Sequence, residues 1–190
     1  GFDTVFMWAW RYRDPVLDVL ELITGSRINY ANHCVGGSRL DIDESQLRAV
    51  RDSLDELERP LDSFITAVLE DPVLAVRLKD VGVLTEDDAR ELSAVGPTAR
   101  ASNIPIDVRA DDPYAAYDDL DWDVQTCENG DVYDKVVVRL LETRESMRIL
   151  RQAVEDIPDG PIRADVQQVP AGEAVGRIEA PRGECFHYVR

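Results

Sequence analysis

Apolar positions early in the chain recur at helical spacing. Val16, Leu17, Leu20 and Ile23 form a stripe behind Asp14-Pro15, a pair suited to the N-cap and first position of a helix. The stripe runs on through Ile28 and Ala31, so the helix is expected to end at Gly36-Gly37. Two successive glycines also let another backbone or a cofactor come close. The clearest periodicity follows: Leu47, Val50, Leu54, Leu57, Leu61, Phe64 and Val68 form a heptad seam. Asp43 with Gln46 reads as the capping box of that helix, and Pro60 inside it predicts a kink or a division.

The next signals are shorter. Asp71-Pro72 opens a helix to Lys79, and Thr85 with Asp88 caps another to Leu92, closed by Gly96-Pro97. Periodicity disappears over residues 98–121, predicting a long irregular segment of the kind that carries function or an interface. Residues 122–127 alternate weakly as a strand, and Asn129-Gly130 turns the chain into a last long helix. Val132, Val136, Leu140, Met147, Leu150, Val154 and Ile157 stripe that helix until Pro158-Asp159-Gly160-Pro161 stops it. Residues 174–180 and 184–189 read as strands about the turn Pro181-Arg182-Gly183. The expected class is α+β, mainly α: a long-helix bundle with a small peripheral β element, the C-terminal hairpin. One domain over residues 1–190 is expected. Gly1 leads straight into apolar residues and Arg190 closes a strand pattern, so both termini are expected to be cut and the chain to be a central fragment of a longer one.

Composition narrows the function classes. A formal net charge of −17 argues against a nucleic-acid surface, which needs clustered cations. No apolar run approaches the roughly 18 residues a membrane span requires, so membrane contact is expected to run through partner subunits. Cys34, Cys127 and Cys185 lie far apart with no C-x-x-C, so neither a zinc ribbon nor an iron–sulfur ligand set is expected from this chain.

Four segments carry a resemblance. They are Thr24-Gly25-Ser26-Arg27 with Gly36-Gly37-Ser38-Arg39-Leu40-Asp41; Gly96-Pro97-Thr98-Ala99-Arg100-Ala101-Ser102 leading into Asp107-Val108-Arg109 and Asp112-Pro113-Tyr114; Gly130-Asp131-Val132-Tyr133-Asp134 with Arg139, Glu142 and Ser146; and Glu179-Ala180-Pro181-Arg182-Gly183-Glu184 with His187. In that order the chain resembles the superfamily of [NiFe]-hydrogenase large subunits and the 49-kilodalton-type subunit of complex I. The short stretch 161–178, with Arg182 and His187, looks more like the energy-converting branch of formate hydrogenlyase and Ech-type hydrogenases. Two positions depart from the usual pattern: Asn103 stands where Gly is common and Asn29 where His is common.

The resemblance implies an oxidoreductase subunit that oxidises H2 or reduces protons. The complex I branch would instead imply a quinone site in an NADH-quinone oxidoreductase, with quinone and NAD binding in the assembly, and a non-catalytic scaffold is a third possibility. A small iron–sulfur subunit and membrane-arm subunits are the implied partners, at the inner face of the cell membrane on the cytoplasmic side. Arg182 is the implied catalytic residue: in hydrogenase large subunits the matching arginine points toward the metal centre, where a guanidinium offers several fixed donors. Glu184 and His187 are further catalytic candidates, Glu179 is a candidate proton relay, and Gly36, Gly37, Pro181 and Gly183 would wall the cofactor cavity. The NiFe centre requires C-x-x-C pairs outside this chain, so no metal is expected on the fragment itself, which is expected to be inactive alone. Arg27, Arg39, Arg100 and Arg109 with Asp41, Asp107 and Asp112 are expected to form buried ion pairs that fix loops around the cavity.

Overall fold

Reciprocal hydrogen bonds between Asp43 and Gln46 start the longest helix: Gln46 N donates to the Asp43 carboxylate at 2.9 Å, and Asp43 N to Gln46 Oε1 at 2.9 Å. This is the capping box read from the sequence. The computed structural model describes residues 3–190. Among them the helices are α1 (Asp3–Thr24), α2 (Glu44–Leu69), α3 (Pro72–Leu78), α4 (Glu86–Glu91), α5 (Gly96–Arg100), α6 (Val108–Asp111) and α7 (Val132–Glu155). The strands form two antiparallel hairpins, β1 (His33–Cys34) with β2 (Gly37–Ser38) and β3 (Ala174–Ala180) with β4 (Gly183–Val189). The class is α+β and mainly α, as expected. The chain falls into two compact units, one running to Phe64 and including Val154–Pro170, the other Ile65–Ala153 with Ala171–Arg190.

In the first unit, α1 departs from the expected bounds at both ends. It begins before Asp14 and carries Pro15 inside, so the proline removes one backbone donor without starting the helix. It stops at Thr24, because Gly25 takes φ +79 and sends its N–H back to Glu21 O, a left-handed C-terminal cap. Ile28 and Ala31 therefore lie outside it, and Ile28 is exposed. α2 continues through Pro60, and Val50 and Leu54 of its seam are buried. Gly36 and Gly37 close the small β1–β2 hairpin, both at positive φ. Segment 162–164 crosses directly over them: Ser38 N donates to Ile162 O and Ala164 N to Gly36 O. A Cβ on Gly37 would lie 2.3 Å from Ile162 O.

The second unit is built on short capped helices. Asp71 accepts from Leu74 N, and Thr85 accepts from Asp88 N, at the two caps the sequence marks. Ala89, Ala99 and Ile104 form a small core with Leu84 and Ala94 against it. The segment expected to be irregular holds α5, α6 and a 3-10 turn at Tyr117–Asp119. Residues 122–127 form no strand, correcting that expectation; Cys127 N reaches Arg100 O, but Asp123 N bonds the Glu145 side chain, so no neighbouring strand supplies a ladder. Leu84 N donates to Gly130 O and Gly130 N to Ala101 O, so Gly130 joins two loops.

The buried face of α7 also differs from its apolar stripe. Asp131 at its N-cap and Asp134, Val138 and Ile149 are buried, with Glu142 and Glu145 partly so, whereas Leu150 is exposed. Asp131 accepts from Asp80 N and Asp134 N, and Asp134 from Asn129. Acidic groups held by backbone donors and arginines replace leucines on this face, which conceals it from a hydrophobicity count. β3 and β4 pair from Ala174↔Val189 to Ala180↔Gly183, leaving Pro181-Arg182 as the turn.

Gly130 takes φ +64, and a Cβ there would lie 2.1 Å from Leu84 O. Gly130→Ala is expected to cost about 2 kcal/mol or more in chemical denaturation. Gly176→Ala, with nothing within 4 Å of the added carbon, should stay within about 0.5 kcal/mol of the parent. Equal denaturation midpoints for the two variants would contradict the close packing of the Gly130 loop.

Candidate functional site

A guanidinium stays charged at any pH the fold survives, so a buried arginine must be surrounded by acceptors. Arg100, the last residue of α5, is 2% exposed and is so surrounded. Its Nε donates to Glu142 Oε1 of α7 at 2.6 Å, and its Nη1 to Ile106 O at 2.8 Å and to Glu179 Oε1 of β3 at 2.9 Å. Asp107 Oδ2 lies 3.3 Å from the same nitrogen. Asp107 in turn accepts both Arg109 Nε at 2.9 Å and Arg109 Nη2 at 2.7 Å, a bidentate pair. Arg109 lies over Trp122, 4.8 Å from the ring centroid, and beside Tyr117 at 5.6 Å.

The electrostatics follow from these contacts. Burial alone would lower the Arg109 pKa, but the hydrogen bonds and charge of Asp107 hold it above its ordinary value. Glu142 goes the other way: burial raises its pKa, and the charge and hydrogen bond of Arg100 offset this only in part. Two arginines share three carboxylates, Asp107, Glu142 and Glu179. Every buried side-chain nitrogen and oxygen among the described residues has a partner.

The hairpin is fixed to this cluster at its turn end. Glu179 uses both carboxylate oxygens, one on Arg100 and the other accepting from Val108 N at 3.3 Å, while its backbone N–H donates to Tyr114 Oη at 3.2 Å. Burial raises the Tyr114 pKa. One register step on, the turn backbone rests on the start of α5. A Cβ on Gly96 would lie 2.3 Å from Arg182 O, and one on Gly183 would lie 2.7 Å from Gly96 N. Gly183, at φ +124, and Gly96, at φ +68, are the residues that permit this contact. Asn103, standing where Gly is common, has φ +62, a conformation asparagine tolerates better than other side-chain-bearing residues.

The structure thus brings Pro181, Arg182, Gly183 and Glu184 together at one hairpin end. Arg182 is exposed, and its guanidinium has no hydrogen bond or ion pair among the described residues. Glu184 accepts from Arg177 Nε at 2.6 Å, which holds its carboxyl below the usual range; it acts as a counter-ion rather than a group resting protonated. Arg177 also reaches Asp112. His187 is exposed on β4, with Nε2 3.3 Å from Cys185 Sγ. Gly36 and Gly37 belong to the first unit, where their close neighbour is the chain's own backbone. Of the expected ion pairs, Arg100 and Arg109 share Asp107, whereas Arg27 pairs at the surface with Asp14, Asp18 and Glu21. Glu142 and Tyr114 stand out in the sequence only as motif members; no spacing signal ties them to a partner some 40 or 65 residues away.

The cysteines do not form a donor set. Burial, helped by Asp134, Asp131 and Glu128, pushes the Cys127 thiol up to about 11, unsuited to supplying a thiolate. Cys34 donates to Gly37 O in the first unit. Among the described residues no group of three or more His, Cys, Asp or Glu is placed to hold a metal ion. The residues present therefore do not fit a NiFe or iron–sulfur centre by themselves.

Residues 1–169 match the family model described as respiratory-chain NADH dehydrogenase, 49 Kd subunit. Over its whole length the chain is 38% identical to an NADH-quinone oxidoreductase subunit of Dehalococcoides mccartyi, covering 52% of that protein. It is also 38% identical over its whole length to the carbon monoxide-induced hydrogenase of Rhodospirillum rubrum, covering 53% of it. Identity to the membrane-bound hydrogenase alpha subunit of Pyrococcus furiosus is again 38% over the whole chain, which covers 48% of that protein. The chain spans about half the length of these curated relatives.

The buried cluster makes its members unequal in stability. Asp107→Asn takes the counter-charge from Arg109 and one of three from Arg100, with an expected cost of about 3–5 kcal/mol. Glu142→Gln keeps an acceptor for Arg100 Nε and should change stability by only about 1 kcal/mol. Because the folded pKa of Glu142 is raised, its favourable contribution is full below the ordinary glutamate value and is lost as pH rises through the raised value. Denaturation curves across that window should show Glu142→Gln gaining on the parent as pH increases; a constant difference would contradict the buried-carboxyl assignment.

Proposed function

Because the chain belongs to the family of the 49 Kd subunit of respiratory-chain NADH dehydrogenases, we propose that it is a central part of the large subunit of a membrane-associated oxidoreductase complex, and that the Pro181-Arg182-Gly183 turn presents a donor to the group reduced there. The observation that carries this reading is the contrast between turn and side chain. The backbone is seated on Gly96 and tied through Glu179 to Arg100, while the Arg182 guanidinium stands exposed and without a partner among the described residues of a chain with net charge −17. A guanidinium left free on an anchored backbone amid so many carboxylates is suited to meeting an oxygen or diatomic ligand from outside the chain.

The acceptor we propose is a quinone, whose carbonyl oxygen would take a hydrogen bond from Arg182. The family description and the NADH-quinone oxidoreductase relative support it. Hydrogen chemistry at a NiFe centre is the second reading, favoured by two hydrogenase relatives at the same identity and by the Ala180-Pro181-Arg182-Gly183 sequence. Either group would be bound with residues from outside this chain. Docking on the cytoplasmic face, an iron–sulfur partner subunit and a membrane arm belong to the same proposal. No helix among the described residues is long and apolar enough to cross a membrane.

In the full-length subunit within its complex, Arg182→Lys should lower turnover by on the order of a hundredfold, since lysine cannot reproduce the fork, while assembly and bound iron stay normal. The parent complex should reduce a quinone with NADH and take up no H2. Hydrogen uptake without quinone reduction, together with C-x-x-C pairs in the flanking reading frame, would move the assignment to the second reading. Unchanged turnover in Arg182→Lys would overturn the role of the turn under both.

A further inference from the structure

The turn that carries Arg182 has no core of its own. It is a two-residue connection on a two-stranded hairpin, and most of β3 and β4 beyond the turn end is exposed. Hairpins of this kind hold no fixed side-chain geometry unless something grips them. Here much of the grip comes from one short element, α5. At its N-terminus, α5 receives the turn backbone, where Gly96 and Gly183 meet without side chains. At its C-terminus, Arg100 holds Glu179, the residue two before Pro181. The two ends of α5 thus fix the turn and the strand entering it.

Glu179 is the joint of this clamp. Its two carboxylate oxygens and its backbone N–H go to three different segments: Arg100 of α5, Val108 N of α6, and Tyr114 Oη beyond α6. The Arg100 guanidinium is itself held by Glu142 and Ile106 O, so it is not free to follow a moving hairpin. Glu179 alternates with Ala180, and Ala180↔Gly183 is the last register pair before the turn. A rotation or slip at Glu179 is therefore carried directly to Arg182.

We infer that Arg100 and Glu179 are positioning residues for Arg182, acting as a clamp that sets where its guanidinium points without touching the reacting group. This rests on the proposed role of the turn and deepens it. Neither residue exchanges a proton or electron with the substrate; their effect on turnover passes entirely through Arg182. Displacement of a positioned group by about an ångström costs turnover on the order of a hundredfold, and loss of one of Glu179's three anchors should cost about tenfold or more.

The test is a double-mutant cycle in the full-length subunit within its purified complex, reading kcat and KM for the acceptor along with thermal stability. Glu179→Gln should lower kcat about tenfold in the parent background, with the complex assembled, and should have no further effect once Arg182 is Ala. Tyr114→Phe, which removes only the hydroxyl that accepts from Glu179 N, should show the same dependence on Arg182, and it serves the cycle if Glu179→Gln does not assemble. Losses that multiply, equal in both backgrounds, would overturn the clamp while leaving Arg182 in its role. An Arg182→Ala variant with undiminished turnover would instead overturn the reading of the turn itself, and the clamp with it.

Discussion

Burying one guanidinium constrains much of the second unit. Arg100 cannot shed its charge, so wherever it is enclosed, acceptors must be brought to it from other parts of the chain. They come from α7 through Glu142, from the loop before α6 through Ile106 O and Asp107, and from β3 through Glu179. Three segments separated in sequence are thereby held at hydrogen-bond distance from one side chain. Hydrophobic contact alone would not specify this arrangement, because apolar packing is non-directional. The ionic cluster supplies direction, which an apolar core lacks.

From that constraint the character of the turn follows. A buried, multiply bonded arginine inside and an arginine outside without a partner among the described residues are joined by a short path through Glu179 and the last register pair of the hairpin. The glycines at positions 96 and 183 shorten the path further, since any side chain there would push the two backbones apart. The backbone of the turn is held while the Arg182 side chain stays exposed, so in the donor role we propose its guanidinium would be ordered by the ligand it meets. Glu184 and Arg177, bonded to each other, add a second ion pair on the same hairpin.

Features governed by local chemistry are legible in the sequence. The α2 seam, the caps at Asp43, Asp71 and Thr85, and the terminal hairpin each depend on neighbours a few residues away. The turn is legible too, because Pro181 fixes its own φ and Gly183 can take the positive φ that the turn requires. Elsewhere the pattern misleads for identifiable reasons. α1 ignores Pro15 as a start and obeys Gly25 as a stop, although the apolar stripe runs past it. Residues 122–127 alternate but find side chains instead of a neighbouring strand. On α7 the buried positions include Asp131 and Asp134, with Glu142 partly buried, so the apolar stripe captures the face only in part: its Val154 is buried but its Leu150 is exposed. Gly36-Gly37 signals a close approach correctly, but nothing local in the sequence identifies the visitor as segment 162–164.

Native-state amide hydrogen exchange tests the central claim most directly, because the N–H groups of Val108, Arg109 and Glu179 all bond within the cluster or its anchors. If the buried Arg100 network organises this region, the three amides should open together, with one common free energy and one dependence on denaturant. Separate opening energies, with Glu179 exchanging as freely as the exposed far end of the hairpin, would contradict it.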